Sequence, residues 1–597
     1  MFVDTKLPMP KIKFRAANAQ VEQQAIACGL HPALAKIVAA RPVSSSIHLT
    51  KLLKPRLENL DSPHLLQDID KAVSRLTKAI INQENIAIET DHDCDGQTSH
   101  AIILNTLLHF FNMPQDKIQS FIGHRLEEGY GLSHKLAQRI LKAPFKPDLV
   151  ITADNGSSDA DTIQLLADNA IDVIVTDHHQ IPAAGIPAAA LAVLNPTRAD
   201  CQYPDKLIAG CMVAWLFMCA TRRALIEQKY LPETCPSLKD LLDFVALGTV
   251  ADCVSMARSH NNRTVVKYGL ELINKKNRAC WQVFAQNLTG VLRAEDLAFN
   301  IGPLLNSDGR LNDALQGVKL LLATEVSLAQ ALLEQLGEFN LQRKTIQKKL
   351  INDGIALAQE QAILGKLGLV IFLKDGHPGV HGIAASRIKD LFGRPTVFLA
   401  PKVNDEQTIT GSVRGIENFN VAKALKHIDT LAPGLMQSFG GHPAAGGLSF
   451  QFSNLEKFTQ LFEQAVITQL TPTDVGPAIF ADSDLPARWV SKKFIQALAS
   501  LEPFGREFDA PIFCLSGVLE EFRPMGNGTH ARVIINSEAK HITGVWFNFR
   551  FDANIAHHFT NGMQVRAVFT LRENTYQGLT RADLNIITLV QEDLGNL

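Results

Sequence analysis

Between residues 86 and 196 the chain repeats one pattern: a short apolar run that closes on an acidic or polar residue, then a stretch of helical periodicity. The runs are Ile86-Ala-Ile-Glu-Thr-Asp91, Leu149-Val-Ile-Thr-Ala-Asp154, Val173-Ile-Val-Thr-Asp177 and Leu191-Ala-Val-Leu-Asn195-Pro196. Near-continuous apolar runs of this length predict strands buried on both faces, and Ala101–Phe111 and Asp159–Asn169 predict helices between them. Strands alternating with helices imply an α/β fold with a mostly parallel sheet. In such sheets reactive residues gather at the carboxyl ends of the strands, and Asp recurs at those ends here.

The flanking patterns differ. Residues 16–80 carry apolar positions three and four apart (Leu65, Ile69, Ala72, Val73, Leu76) and predict a helical region. Ser327 to about Gln361 predicts one long helix carrying Arg343, Lys344, Lys348 and Lys349, either a connector between lobes or a solvated charged face. A second α/β pattern runs from Leu367-Gly-Leu-Val-Ile-Phe-Leu through Pro395-Thr-Val-Phe-Leu to Gly440-Gly-His-Pro-Ala-Ala-Gly-Gly. From about 478 short strands dominate, among them Ile512-Phe-Cys-Leu, Ala531-Arg-Val-Ile-Ile, Gly544-Val-Trp-Phe and Val565-Arg-Ala-Val-Phe, which predicts a small β-barrel. The expected organisation is a helical region packing on the catalytic core (1–80), a catalytic α/β domain (81–320), a connecting helix (321–365), a second α/β domain (366–470) and a barrel (471–597).

Composition removes some functions. With 597 residues, 46% of them hydrophobic, the chain can bury several cores. A net charge of −2 argues against coating nucleic acid through bulk charge but leaves room for a local basic groove. Nine cysteines without a Cys-x-x-Cys pair make neither a disulfide framework nor a zinc ribbon. The start of the chain lacks an apolar signal core, and the longest apolar run, Leu207 to Ala220, is too short to span a bilayer. A soluble, cytoplasmic protein with no membrane partner is expected.

The chemistry concentrates at Asp91-His92-Asp93-Cys94-Asp95-Gly96. Asp-x-Asp-x-Asp-Gly can open a calcium-binding EF-hand, but that loop needs a helix before it and a Glu at its twelfth position. Here a strand precedes it and Ile102 stands at the twelfth position. Three carboxylates alternating at a strand end repel one another unless cations neutralise them, which favours a metal site over a solvated turn. Asp154, the Asp177-His178-His179 triplet and Asp252, after an apolar helix-like run, supply further ligands on successive elements. A mixed carboxylate and imidazole set suits Mn²⁺ or Mg²⁺, and two such ions can clamp a phosphoryl group during in-line displacement.

The set Asp91-His-Asp-Cys-Asp-Gly96, Thr152-Ala-Asp-Asn-Gly-Ser-Ser158, Thr176-Asp-His-His179 and Gly248-Thr-Val-Ala-Asp-Cys-Val254 resembles the motifs of the DHH phosphoesterase superfamily, in the family's order. Five further stretches resemble its RecJ branch: His124-Arg125 through Gly131, Asn300 through Arg310-Leu311, His377 through Arg387, Gly411-Ser-Val-Arg414, and Gly440-Gly-His442-Pro-Ala-Ala-Gly-Gly. The resemblance extends from about residue 30 into the barrel. It implies an 81–320 DHH domain, a 366–470 DHH-associated substrate-binding domain and an OB-like nucleic-acid-binding barrel. It also implies two divalent ions, with Asp93 on one, Asp95 on the other, Asp154 bridging, and His178 and Asp252 completing the second site. On the same resemblance Asp91 would lie close by as a ligand or supporting carboxylate, and His179 would contact the scissile phosphate. The RecJ pattern further implies a pocket for a 5′ phosphate formed by Arg125, Ser412 and Arg414, with Arg310 and His442 among the substrate-binding residues.

On this resemblance the chain is a metal-dependent 5′→3′ exonuclease that converts single-stranded DNA to 5′ mononucleotides in repair and recombination. A helicase and a single-strand-binding protein are the expected protein partners. Two alternatives are a DHH phosphodiesterase acting on oligoribonucleotides or cyclic dinucleotides, and a DNA-binding scaffold without catalysis. The barrel and long connector speak against the first, and the complete ligand set against the second. Two positions depart from the RecJ pattern. Gly415 replaces a Ser, and Arg506-Glu507-Phe508-Asp509 stands where a Gly-Asn-Pro stretch is expected. In the barrel, alternation sends Trp546 and Phe547 to opposite faces, so at least one belongs to the core.

Overall fold

The computed structural model describes residues 10–43, 46–124, 128–129, 131–288, 290–311, 315–402, 405–526, 528–549, 559–576 and 579–592. The chain divides into two compact units. One comprises Ala17–Leu341 with Leu501–Asp509, the other Met1–Ala16, Gln342–Ser500 and Ala510–Leu597.

The first unit is built on a five-stranded, all-parallel sheet in the spatial order Ile118–Ile122, Ile86–Thr90, Leu149–Ala153, Asp172–Thr176, Ala192–Leu194. Each apolar run becomes a strand that stops one residue or more short of its acidic end. Alternation along the strands sends Ala87, Val150, Val173, Val175 and Val193 to one face, where Leu136, Ile140, Ile163 and Leu166 from helices His134–Leu141 and Ala160–Asp168 cover them. Ile86, Ile88, Ile151, Ile174 and Leu194 face the other way and are fully buried. Helices Ile69–Ile81, Cys94–Asn105 and Gly210–Glu227 pack on that side. Each fully buried Ile or Val contributes roughly 1.5–3 kcal/mol, which fixes the strand ends. The apolar run from Leu207 forms the buried helix Gly210–Glu227, and the run before Asp252 forms Leu242–Ala251, also buried.

The N-terminal expectation needs two corrections. Lys11–Phe14 is not helical but a strand that pairs in parallel with Ala478–Ala481 and belongs with it to the second unit. Leu65, read as part of a helical face, lies in a short turn and is exposed, because the helix begins only at Ile69.

The second unit holds a mixed five-stranded sheet, ordered Met436–Gly441, Ala445–Gln451, Asp405–Arg414, Thr396–Lys402, Leu369–Phe372. Phe450, Phe458 and Phe462 stack beneath it. The expected connector is a single helix, Val326–Ile363. The C-terminal strands close a barrel: Phe513–Met525 pairs with His530–Ser537, that with Lys540–Trp546, that with Leu579–Gln591, that with Gln564–Tyr576, which returns to Phe513–Met525. Trp546 is core at 2% exposure and Phe547 lies outside at 43%. Among the described residues no helix is long and apolar enough to cross a membrane.

Candidate metal centre

In the parallel sheet the chain order reverses between Ile86–Thr90 and its neighbour Leu149–Ala153, so the connections leave in opposite directions and open a crevice at their carboxyl ends. Thr90 and Ala153 are paired, which brings Asp91 and Asp154 side by side. The Asp91 N–H donates to the Ala153 carbonyl (3.3 Å) and the Asp154 N–H to that of Thr176 (2.9 Å). Asp154 then turns at φ 64°, a left-handed conformation that costs a non-glycine residue on the order of 1–3 kcal/mol and is typical of functional sites.

Asp91, Asp93 and Asp95 do not alternate along a strand as their spacing suggested. The strand ends at Thr90, Asp93 caps the helix Cys94–Asn105 by accepting from the N–H groups of Asp95 (2.9 Å) and Gly96 (3.1 Å), and Asp95 sits in its first turn. Asp is a favoured N-cap, and the cap wins over further strand. Position 96 must be Gly, since a Cβ there would fall on the Asp91 backbone.

A second helix end holds Asp95. The Gly210 N–H donates to its Oδ2 (2.7 Å) and the Cys211 N–H to its Oδ1 (3.0 Å). These are the first amides of helix Gly210–Glu227, whose positive dipole end favours a carboxylate. A Cβ at Gly210 would lie 2.6 Å from Asp154 Oδ1, so only glycine lets the helix approach. Sequence reasoning missed this contact; the lone Gly opening an otherwise apolar helix was the available signal.

His178 stands at the middle of the cluster. Its Nε2 lies 3.1 Å from Asp154 Oδ1, 3.6 Å from Asp252 Oδ2 and 3.9 Å from Asp95 Oδ2. Nε2 and Asp154 Oδ1 are both buried without a hydrogen-bond partner among the described residues, the 3.1 Å approach lacking hydrogen-bond geometry. A hydrogen bond to the Ile208 backbone pulls the ring's pKa upward. Burial holds His178 below its usual range against the pull of Asp95. Three groups, Asp95–His178–Asp252, Asp91–Asp93–Asp154 and Asp154–His178–His179, each place one ligand atom per residue within 4.8 Å of the others. Burial, then the charges of Asp91 and Asp95, push Asp93 up to about 6. Burial, then Asp95 and Asp93, push Asp154 and Asp252 well above the carboxylate range. Such a cluster repels a phosphodiester unless cations intervene, and oxygen donors with one imidazole are the donor set of Mn²⁺ or Mg²⁺. The residues fit two divalent ions.

Beside it, His179 donates from Nδ1 to Asp177 Oδ1 (2.8 Å), and Asp177 also accepts from the N–H groups of His178 (2.7 Å), His179 (3.1 Å) and Ser157 (3.0 Å). Burial would lower His179, but Asp177's hydrogen bond and charge raise it to about 9. Burial would raise Asp177, yet the two histidines and Ser157 hold it below the usual range. Asn195 secures the turn, donating to Ser157 Oγ (2.9 Å) and the His179 carbonyl (2.8 Å). Asp177 and Asn195 were visible only as strand-end residues in the sequence; their supporting roles come from the fold.

The other expected site residues fall elsewhere. Arg125 lies outside the described residues, as does the side chain of Arg310 on helix Gly302–Leu311. Ser412 and Arg414 sit in the second unit, half-buried on one face of strand Asp405–Arg414. Arg414 lies against Gly382, whose missing Cβ makes room for the guanidinium, so the 377–387 and 411–414 motifs meet. His442 is exposed between strands Met436–Gly441 and Ala445–Gln451, its N–H on the Ala445 carbonyl (2.8 Å).

Comparison with known proteins agrees with this architecture. Residues 85–249 match the N-terminal domain of the DHH family, 365–468 the DHHA1 domain and 481–588 the RecJ OB domain. Fold and cluster therefore define a metal-dependent phosphoesterase of the DHH class. Over 515 residues the chain is 33% identical to the single-stranded-DNA-specific exonuclease RecJ of Haemophilus influenzae, covering 85% of this chain and 87% of that protein. The crystal structure of RecJ with Mn²⁺ from Thermus thermophilus superposes with a TM-score of 0.77 at 24% identity, covering 98% of this chain and 79% of that one. An exonuclease RecJ bound to manganese matches at 29% identity and TM-score 0.56, over 68% of this chain and 96% of that one. The chain belongs to the RecJ family.

Proposed function

We propose that this chain degrades single-stranded DNA from its 5′ end to mononucleotides, using the carboxylate and histidine cluster at the edge of the parallel sheet. Asp91, Asp93 and Asp154 would hold one divalent ion, and Asp95, Asp154, His178 and Asp252 the other. Bound there, Mn²⁺ or Mg²⁺ supplies charge neutralisation at the phosphoryl oxygens and acidifies the attacking water. The protein's own groups do the rest. The Gly210 and Cys211 amides keep Asp95 in one orientation, and the Ile208 backbone hydrogen-bonds the His178 ring. His179, protonated at neutral pH through Asp177, offers Nε2–H to a non-bridging oxygen of the scissile phosphate.

The observation that carries this reading is a pair of buried atoms without a hydrogen-bond partner among the described residues, His178 Nε2 and Asp154 Oδ1, facing one another among carboxylates. Native interiors rarely leave such atoms unpaired, and a metal ion satisfies both. Arg414 and Ser412 support capture of a terminal 5′ phosphate, since a guanidinium fork with a hydroxyl suits a phosphate dianion. Arg125, Arg310 and His442 belong to the same proposed DNA path. The strand must reach the enzyme already separated, so a helicase and a single-strand-binding protein are the natural partners. A cytoplasmic setting accords with nine cysteines that are all free.

The test is incubation with Mn²⁺ and end-labelled single strands, duplexes and short RNA. Stepwise loss of 5′ nucleotides confined to single-stranded DNA is expected. Equal cleavage of short RNA would favour the oligoribonucleotide reading instead.

A further inference from the structure

Asp252 reaches the cluster from an unusual support. It ends helix Leu242–Ala251, and the next residue, Cys253, adopts φ 58°, a left-handed turn usually given to Gly. The loop that follows, Val254 to Arg258, continues directly from that turn. Asn262 holds it from one side, donating to the Ser255 carbonyl (3.0 Å). From the other side it is gripped by a segment about 250 residues further along, Leu501–Asp509, which belongs to the same compact unit.

That segment is itself firmly seated. The buried Arg263 donates to the carbonyls of Pro503 (2.8 Å) and Leu501 (2.9 Å), with its guanidinium 4.2 Å above the Phe508 ring. Arg41 donates to the Asp509 carbonyl (3.0 Å). Three sets of bonds then run to the Asp252 loop. The Met256 N–H donates to the Arg506 carbonyl (2.9 Å), the Ser255 hydroxyl donates to Glu507 Oε2 (2.5 Å), and Arg258 forks onto both oxygens of Glu507 (2.8 and 2.8 Å). Gly505 allows the close approach, since a Cβ there would lie 2.8 Å from the Met256 side chain. Glu507 and its neighbours are the residues that stand where the family pattern has Gly-Asn-Pro.

We propose that Glu507 is a positioning residue of the metal centre: by bridging Ser255 and Arg258 it holds the 252–258 loop so that the Asp252 carboxylate is set for its ion. The inference rests on Asp252 being a metal ligand. The Arg258 side chain is 46% exposed and that of Glu507 26%, and partly exposed pairs add little to global stability. The loss of Glu507 should therefore show in the metal site rather than in folding. Supports beyond the ligands themselves commonly change metal affinity about 10- to 100-fold, and one acting through a loop belongs at the lower end, about tenfold.

The experiment uses the full chain and Mn²⁺ alone as the probe. In Glu507→Gln, calorimetry is expected to show one Mn²⁺ site about tenfold weaker and the other unchanged. The amides of Ser255 and Met256 exchange hydrogen faster in the metal-free variant, and the KM for single-stranded DNA at saturating Mn²⁺ stays as in the parent. Unchanged Mn²⁺ affinity overturns the proposal. Should Glu507→Gln fail to fold, Arg258→Gln, which leaves Glu507 on Ser255, is expected to weaken the same site about threefold, and no shift there overturns it equally. Asp252→Asn in the same titration separates the two premises. If it weakens a site that Glu507→Gln leaves alone, only the positioning role fails; if it leaves both sites intact, the assignment of Asp252 fails and the inference goes with it.

Discussion

The two five-stranded sheets solve opposite electrostatic problems. The parallel sheet of the first unit gathers Asp91, Asp93, Asp95, Asp154 and Asp252 with His178 at its carboxyl edge, mostly buried and held by backbone amides. The mixed sheet of the second unit presents Ser412, Arg414 and His442, half-buried or exposed, on and between antiparallel strands. A cation can repay the burial of several carboxylates because it binds them all at once, so its site is closed and rigid. A strand end carrying a phosphate must come and go, so its proposed site stays open to water. A dense, buried site thus fits the chemistry and an open one the grip on substrate.

The largest test of this contrast lies in the dense site. Asp95→Ala or Asp154→Ala should lower release of nucleotides from labelled single-stranded DNA by at least ~10³-fold, since each removes a ligand from ions that stabilise transition-state charge by several kcal/mol. Binding of single-stranded DNA by fluorescence anisotropy should stay within about twofold. Parent-like activity in either variant would mean the cluster is not the reaction centre.

Next comes the cationic neighbour of that site. His179→Ala should lower kcat about 100-fold, the usual range for a group that donates a proton or hydrogen bond in the transition state. Asp177→Asn should follow in the same direction, because His179 then loses the charge that keeps it protonated. If Asp177→Asn changes KM alone, the pair serves binding only.

In the open site the expected effect is smaller. Arg414→Ala should reduce the preference for a 5′-phosphorylated over a 5′-hydroxyl strand about tenfold, in line with one charge-assisted contact, while Mn²⁺ affinity is unchanged. A parent enzyme that cuts both ends equally would remove that pocket.

The smallest effect is on stability. In metal-free protein Asp93 keeps its proton up to about pH 6, above its value in the unfolded chain. The folded state then binds the extra proton between about pH 4 and 6, so the contribution of this group is present below that window and lost as the pH rises through it. Mn²⁺ relieves the repulsion that remains at higher pH. Saturating Mn²⁺ should raise Tm by roughly 5 °C at about pH 7.5 and by less at about pH 5. Equal shifts at both would show that the carboxylates are not what the ion neutralises.

Much of this was legible in the sequence because each element obeyed local rules. The four apolar runs became four neighbouring strands, and Ser327–Gln361 became one helix, Val326–Ile363. The cluster was legible because Asp91, Asp154 and His178 follow strand ends and Asp252 follows a helix end. Less visible was whatever depended on approach in space. That Asp93 caps a helix rather than continuing a strand, that Gly210 must lack a Cβ, and that Asp177 is wired to His179 follow from packing between distant segments or from turn geometry. Lys11–Phe14 was misplaced for the same reason: its partner strand, Ala478–Ala481, lies near the other end of the chain. Trp546 and Phe547 mark the limit, since alternation told that they part ways but not which one goes inside.

Anomalous diffraction from crystals grown with Mn²⁺, collected at the manganese edge, tests the two-ion assignment most directly. Two peaks are expected at the carboxyl edge of the parallel sheet, one among Asp91, Asp93 and Asp154 and one among Asp95, Asp154, His178 and Asp252. A single peak, or peaks away from these residues, would contradict it.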